Sequence, residues 1–139
     1  MTGAKITAAQ LRRIKKAIDT VPFARLLGIE LDDISRGTAT LGLNVRKQLT
    51  QNHGVAHGGA IASLIDTATA FAIISILAPR ERMTTVDLTI CYLRPLTEGR
   101  VTAVARVLRA GQRLFVVSAE VFDKDGKLAT TALSTYMKL

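Results

Sequence analysis

Cysteine is almost missing: Cys91 is the only one in 139 residues. An intramolecular disulfide is therefore excluded, and so is a cysteine-built zinc site. Tryptophan is absent and aromatic residues make up 4% of the chain, so the core has to be aliphatic. The first residues, MTGAKITAAQLRRIKK, contain no apolar run of the kind a secretory signal carries. With the single cysteine, this leads to the expectation of a cytoplasmic protein. Internal repeats, linkers and low-complexity stretches are also missing. Acidic residues are scarce, 11 against 19 Lys and Arg, for a net charge of +8. Five of those charges come from Lys5, Arg12, Arg13, Lys15 and Lys16, in a segment with no acid. A basic surface of this kind fits nucleic acid, a membrane surface or a polyanionic small molecule.

What is present describes an ordinary globular chain. Apolar residues reach 48% and charged residues 22%, enough burial to exclude disorder as the main state. The length fits one domain over residues 1–139. Thr7 reads as an N-cap, followed by Leu11, Ile14, Ile18 and Val21 at helical spacing, which predicts a basic amphipathic helix within 1–22. Pro22 interrupts or restarts it, and Gly28 suits the position just past a helix end. Residues 29–34 predict a short strand. After the Ser35-Arg36-Gly37 turn, Ala39, Leu41, Leu43 and Val45 alternate with polar or small residues, the mark of a half-buried strand. From Gly58 to about Leu77 the chain is apolar on nearly every side, ending at Pro79. That predicts a helix buried all round, because Asp66 in its middle argues against a membrane span. Four strands follow: 85–92, with Val86, Leu88, Ile90 and Tyr92 on one face, then 101–108, 114–122 and 128–137. Hairpin signals at Ala110-Gly111-Gln112 and at 123–126 separate the later ones. An α+β fold follows, in which a curved antiparallel sheet wraps one long helix and a second copy covers what the sheet leaves open.

The densest polar information is Gln51-Asn52-His53-Gly54-Val55-Ala56-His57-Gly58-Gly59, followed by Asp66. His-Gly-Gly stands where a loop becomes a helix, and unpaired N–H groups there suit a polarised acyl carbonyl. Asp66 sits inside the apolar helix, on a stripe with Ser63, Thr67 and Ala70. A carboxyl in such a place suits a general base or a nucleophile, and a structural Asp satisfied by Thr or backbone donors is the plain alternative. Eight helical residues put Gly58 and Asp66 roughly 12 Å apart, too far to touch one carbonyl within one protomer. An antiparallel helix from a second protomer would bring its Asp66 beside the first protomer's Gly58, giving shared sites across a two-fold axis.

QNHGVAHGGAIASLIDTATAFA, followed by TTVDLTICYLRPLTEG, resembles the hotdog-fold acyl-CoA thioesterases of the phenylacetate-pathway (PaaI) type. The resemblance covers nearly all of the chain after the N-terminal helix. It implies a long helix wrapped by an antiparallel sheet and hydrolysis of an aryl or medium-chain acyl-CoA to free coenzyme A and a carboxylic acid. It implies a homo-oligomer, a dimer or a dimer of dimers (homotetramer). By the same resemblance Asp66 is the catalytic carboxylate, Gly58 the N–H that polarises the thioester carbonyl and His57 a residue that holds the site in place. Gln51 binds near the carbonyl or the attacking water, with Asn52 as a rival, and Thr85 orients water. Gly59 and Arg94 join the substrate-binding set, Arg94 being one of several arginines suited to the phosphates. Leu64, Ala68, Phe71 and Thr85 are expected to shape the pocket wall, with Tyr92 as packing or slot wall. No cofactor, metal, nucleic acid or membrane is expected.

Rival readings use the same residues. His53, His57 and Asp66 could suggest a metal, although Gly54 argues against a regular helix there. Ser63, His57 and Asp66 form a triad on paper, with Ser63 in mid-helix rather than on an exposed turn. A non-catalytic acyl-CoA or acyl-carrier binding module is the main alternative function, and an enoyl-CoA hydratase on the same fold is a further one. The basic N-terminal helix offers nucleic-acid binding, without aromatic or groove-reading motifs to support it.

Overall fold

The computed structural model describes residues 5–139. Residues 1–4 of the expected N-terminal helical segment lie outside the described residues. Helix α1 (Ala8–Thr20) starts at Thr7 with a capping box. Thr7 Oγ1 accepts the Gln10 N–H at 3.1 Å, and Gln10 Oε1 accepts the Thr7 N–H at 2.8 Å. The reciprocal pair satisfies two donors that a helix start otherwise leaves free. Ile14 and Ile18 are buried, as their spacing predicts. Val21 leaves the stripe: it is an extended junction residue, 37% exposed. Pro22 then restarts the chain as the first residue of α2 (Pro22–Leu27), and Gly28 closes it at φ 77°. The helix expected within 1–22 is α1, and the restart at Pro22 carries a second short helix to Leu27. The reason is that proline suits a first helical turn and breaks an interior one.

Two strands follow, β1 (Glu30–Ser35) and β2 (Thr38–Val45), then a 3₁₀ turn (Lys47–Leu49), helix α3 (Gly58–Ile74), and four strands: β3 (Met83–Tyr92), β4 (Gly99–Ala110), β5 (Leu114–Phe122) and β6 (Leu128–Lys138). The six strands form one antiparallel sheet in the order β1-β2-β4-β5-β6-β3. The β4-β5-β6 meander comes from the two tight hairpins read from the sequence. Strand β3 reaches the far edge by pairing with β6.

The sheet wraps α3, which packs chiefly on β2, β4 and β5. Ile61, Leu64, Ile65, Ala68, Phe71, Ala72 and Ile73 of the helix are buried against Leu41, Leu43, Val101, Val117 and Val121. Leu64, Ala68 and Phe71 are thus core residues and do not line a pocket, because their helical phase turns them toward the sheet. Ser63, Asp66, Thr67 and Ala70 form a half-buried stripe on the other side. The helix ends at Ser75, before Pro79. Ser75 Oγ accepts the Gly37 N–H at 2.7 Å and donates to the Ala72 carbonyl at 2.6 Å. That pair ties the helix end to the β1–β2 turn without help from the proline. Among the described residues, no helix is long and apolar enough to cross a membrane.

Candidate active site

The site begins where the loop after β2 enters α3. Gln51 N–H donates to the Val55 carbonyl at 2.8 Å, and Gly54 sits at φ 76° to close that turn. Ala56 N–H and His57 N–H donate to the carbonyls of Leu96 and Leu49, at 2.6 and 2.7 Å. The loop is therefore anchored on both sides of the helix entry. His57 is the N-cap: its Nδ1 accepts the Gly59 N–H at 2.8 Å. With that bond in place Nδ1 carries no proton, so Nε2 is the ring's N–H.

Gly58 is the first helical residue. Its N–H is one of the donors a helix start leaves open, and no described residue accepts from it. Its carbonyl accepts the Tyr92 hydroxyl at 2.8 Å. A Cβ at Gly58 would stand 3.4 Å from the Tyr92 ring, so the glycine lets backbone and ring approach closely. Together with Gln51, Ile61, Arg94 and Leu96, these two residues line a cleft of about 310 Å³. Burial raises the Tyr92 phenol pKa, so the ring presents a neutral donor.

Asp66 lies two turns along α3. It is half-buried and it is not unpaired: Thr85 Oγ1 donates to its Oδ1 at 3.0 Å. The Tyr136 hydroxyl reaches the Asp66 carbonyl at 2.8 Å and Oδ1 at 3.1 Å. Tyr136 is buried at 1% exposure, and burial, with the Asp66 charge adding to it, pushes its pKa up to about 12.

Thr85 reaches Asp66 because of a bulge. Simple alternation puts Val86 on the face of Leu88 and Ile90, and Thr85 on the other. The register instead runs Thr85↔Tyr136 and then Asp87↔Thr135, leaving Val86 unpaired. One extra residue reverses the phase of everything before it. Thr85 therefore turns toward α3, and Val86 is left 54% exposed.

The other expected residues are placed less centrally. Asn52 is exposed in the turn beside Gln51, outside the cleft lining. Gly59 commits its N–H to His57 and also stays outside the lining. Arg94 is in the cleft wall, 46% exposed, with Asp123 3.9 Å away. Backbone N–H groups of Lys127 and Asp125 and the nearby Arg94 charge hold the Asp123 carboxyl below its usual range. The paper triad is not assembled: Ser63 Oγ donates to the Gly59 carbonyl at 2.7 Å, and His57 Nδ1 is already occupied. Among the described residues, no three His, Cys, Asp or Glu side chains gather where a metal could bind.

The sequence profile of the thioesterase superfamily matches residues 53–130, more than half of the chain and the span from His53 into β6. The chain belongs to the thioesterase superfamily.

This superfamily member has relatives over its whole length. It is 31% identical to the medium/long-chain acyl-CoA thioesterase YigI of Salmonella typhimurium, a match covering 97% of this chain and 98% of the relative. It is 34% identical to the acyl-coenzyme A thioesterase PaaI of Escherichia coli, over 75% of this chain and 73% of that one. The solved structure of E. coli PaaI superposes with a TM-score of 0.87 at 26% identity, covering 97% and 96% of the two chains. A thioesterase family protein from Silicibacter pomeroyi gives the same TM-score and identity over 94% and 98%. The hotdog architecture implied by the sequence is thereby shown. Sequence reasoning did not find Tyr136 as a neighbour of Asp66. Seventy residues separate the two, and nothing in LSTYMKL marks a strand that ends against a distant helix.

Proposed function

We propose that this protein hydrolyses an acyl-CoA to free coenzyme A and a carboxylic acid, in the cytoplasm, as a single-domain homo-oligomer built from dimers. The observation that carries the reading is a hydrogen-bonded carboxylate, Asp66, on the half-buried stripe of an apolar helix whose first residue, Gly58, has a free N–H among the described residues and lines a cleft. The two lie on one helix at roughly 12 Å. A two-fold arrangement that sets Asp66 of one protomer against Gly58 and His57 of another supplies both to one thioester.

In that site the Gly58 N–H polarises the carbonyl and stabilises the developing oxyanion. The Asp66 carboxylate draws a proton from water as it attacks, or attacks the carbonyl carbon itself to form a mixed anhydride that water then hydrolyses, and in either route the C–S bond breaks and the coenzyme A thiolate leaves. Thr85 holds the carboxylate. Gln51 binds at the carbonyl or the water, and His57 keeps the helix entry in shape with the help of Gly59. Arg94 supplies a cation at the cleft for phosphate, and Asn52 flanks Gln51 in the turn. The full-length likeness to relatives named for medium and long acyl chains supports a medium-chain substrate, and an aryl group is the other class.

The test is thiol release from aryl, short, medium and long acyl-CoAs, by wild type and by Asp66→Ala and Asp66→Asn. Turnover of several thioesters is expected, with at least roughly 10²-fold lower kcat in both variants, the scale of a lost general base. Tight binding without thiol release would instead identify a ligand-binding module. Turnover that survives both substitutions would keep the activity and remove Asp66 from it.

A further inference from the structure

Tyr136 stands outside every role given so far, yet its hydroxyl lies among the atoms that hold the Asp66 carboxylate. It is a buried phenol with one proton to place. Three acceptors surround it: Thr69 Oγ1 at 2.7 Å, the Asp66 carbonyl at 2.8 Å and Asp66 Oδ1 at 3.1 Å. Either oxygen of the Thr69 pair can donate. Thr69 Oγ1 also lies 2.9 Å from the Ile65 carbonyl and 3.1 Å from the Asp66 carbonyl, but a carboxylate is the stronger acceptor for the phenol, which favours the network that gives the Tyr136 proton to Asp66 and the Thr69 proton to Tyr136. There it spans the residue's own carbonyl and Oδ1. One donor joined to two atoms of the same residue fixes the rotation about its side-chain bonds.

Resting on the acyl-CoA hydrolase reading, we propose that Tyr136, oriented by Thr69, is a positioning residue that holds Asp66 in its reactive rotamer. Thr85 and Tyr136 both load Oδ1. Among the described residues nothing donates to Oδ2, which is left open to a water or a carbonyl carbon. The anchor comes from β6, a strand paired on both sides, with β5 and β3, so it is rigid. Its ring is inside the core, so it cannot itself touch a substrate. Its proton stays on the oxygen throughout the working pH range, so the donor is constant. Positioning of this kind affects the chemical step rather than binding, because a carboxylate misplaced by even an ångström reacts more slowly on substrate that is bound as before.

The experiment is steady-state thiol release from a medium-chain acyl-CoA by Tyr136→Phe, made both in the wild-type chain and in the Asp66→Asn chain. Phenylalanine keeps the ring packing and removes only the hydroxyl. The expected result in the wild-type chain is a roughly tenfold fall in kcat with KM within about twofold, the scale of one hydrogen bond to a charged group. In the Asp66→Asn chain, assayed at raised enzyme concentration, the same substitution changes kcat by less than about twofold. A purely structural role would give equal losses in both backgrounds, and that result overturns the proposal. So does an unchanged kcat in the wild-type chain. If Tyr136→Phe does not fold, Thr69→Val decides in the same two backgrounds: a lower kcat only where Asp66 is present supports the proposal, and any other pattern overturns it. Absence of thiol release by the wild type is a separate result, which removes the hydrolase reading itself and this inference with it.

Discussion

Tyr136 is held neutral by its surroundings, and this has a consequence for stability at high pH. Its pKa rises from the ordinary 10.0 to about 12, with burial as the largest cause. Between those two values the unfolded chain releases the proton and the folded chain keeps it. The unfolded state then binds fewer protons, so stability falls as pH rises. The contribution is complete below pH 10 and is lost by about pH 12, a change on the order of 2–3 kcal/mol. Urea unfolding at pH 9 and pH 11.5 should show this loss in wild type, and Tyr136→Phe should lack that component. Asp66 and Gly58 could be singled out from the sequence because each breaks a local rule, a charge in an apolar helix and a glycine pair at a helix start. Tyr136 breaks none. A tyrosine in a strand is ordinary, and its partner is identified only by the register that sets β6 beside β3 and beneath α3.

Strand β3 shows how an element can carry the right residues in a phase that alternation misreads. Val86, Leu88, Ile90 and Tyr92 look like one face, and from Leu88 onward they are. The bulge at Val86 gives that face to Thr85 instead, which allows the bond to Asp66. No residue type in Thr85-Val86-Asp87 signals an extra residue, because bulges are set by what the paired strand must oppose. Strand β6 holds the opposite kind of feature, a hydroxyl with no use. Thr130 is fully buried, and its Oγ1 has no hydrogen-bond partner among the described residues. Thr130→Val keeps the shape and removes the unsatisfied group, so it should stabilise the protein by about 1 kcal/mol in urea unfolding at neutral pH. A loss of stability would show that the hydroxyl is satisfied in solution. The N-terminal helices give the converse lesson: Thr7, Pro22 and Gly28 act locally, through caps and φ angles, so their roles were readable in advance.

At the scale of the whole molecule, the proposed sharing of each site between two protomers is testable. Gly58→Pro is a selective probe. Proline is favoured at the first helical position and removes the N–H, while its added Cβ meets the Tyr92 ring at 3.4 Å, an ordinary contact distance. His57 before it already has ψ 133°, as a residue preceding proline requires. The variant should fold with a Tm close to wild type and lose at least roughly 10²-fold in kcat, as removal of an oxyanion donor does. Unfolding and reassembling it together with Asp66→Ala then tests the sharing. If each site combines Asp66 of one protomer with Gly58 of another, a mixed dimer contains one intact site. Random mixing should then recover about a quarter of wild-type activity. If each protomer carries a complete site, every site in the mixture has a defect and nothing is recovered.

Local chemistry in the sequence determined the element order, the caps and hairpin turns, the aliphatic core and the two residues, Gly58 and Asp66, whose types are odd for their places. Those follow from spacing and from intrinsic preferences that act within a few residues. The tertiary structure decided which face Thr85 presents, that Leu64, Ala68 and Phe71 belong to the core, and that Tyr92 and Tyr136 close on Gly58 and Asp66. These depend on strand register and on packing across 19 to 70 residues of chain. A one-residue shift in register reverses every side chain on a strand, and no local preference is strong enough to fix it.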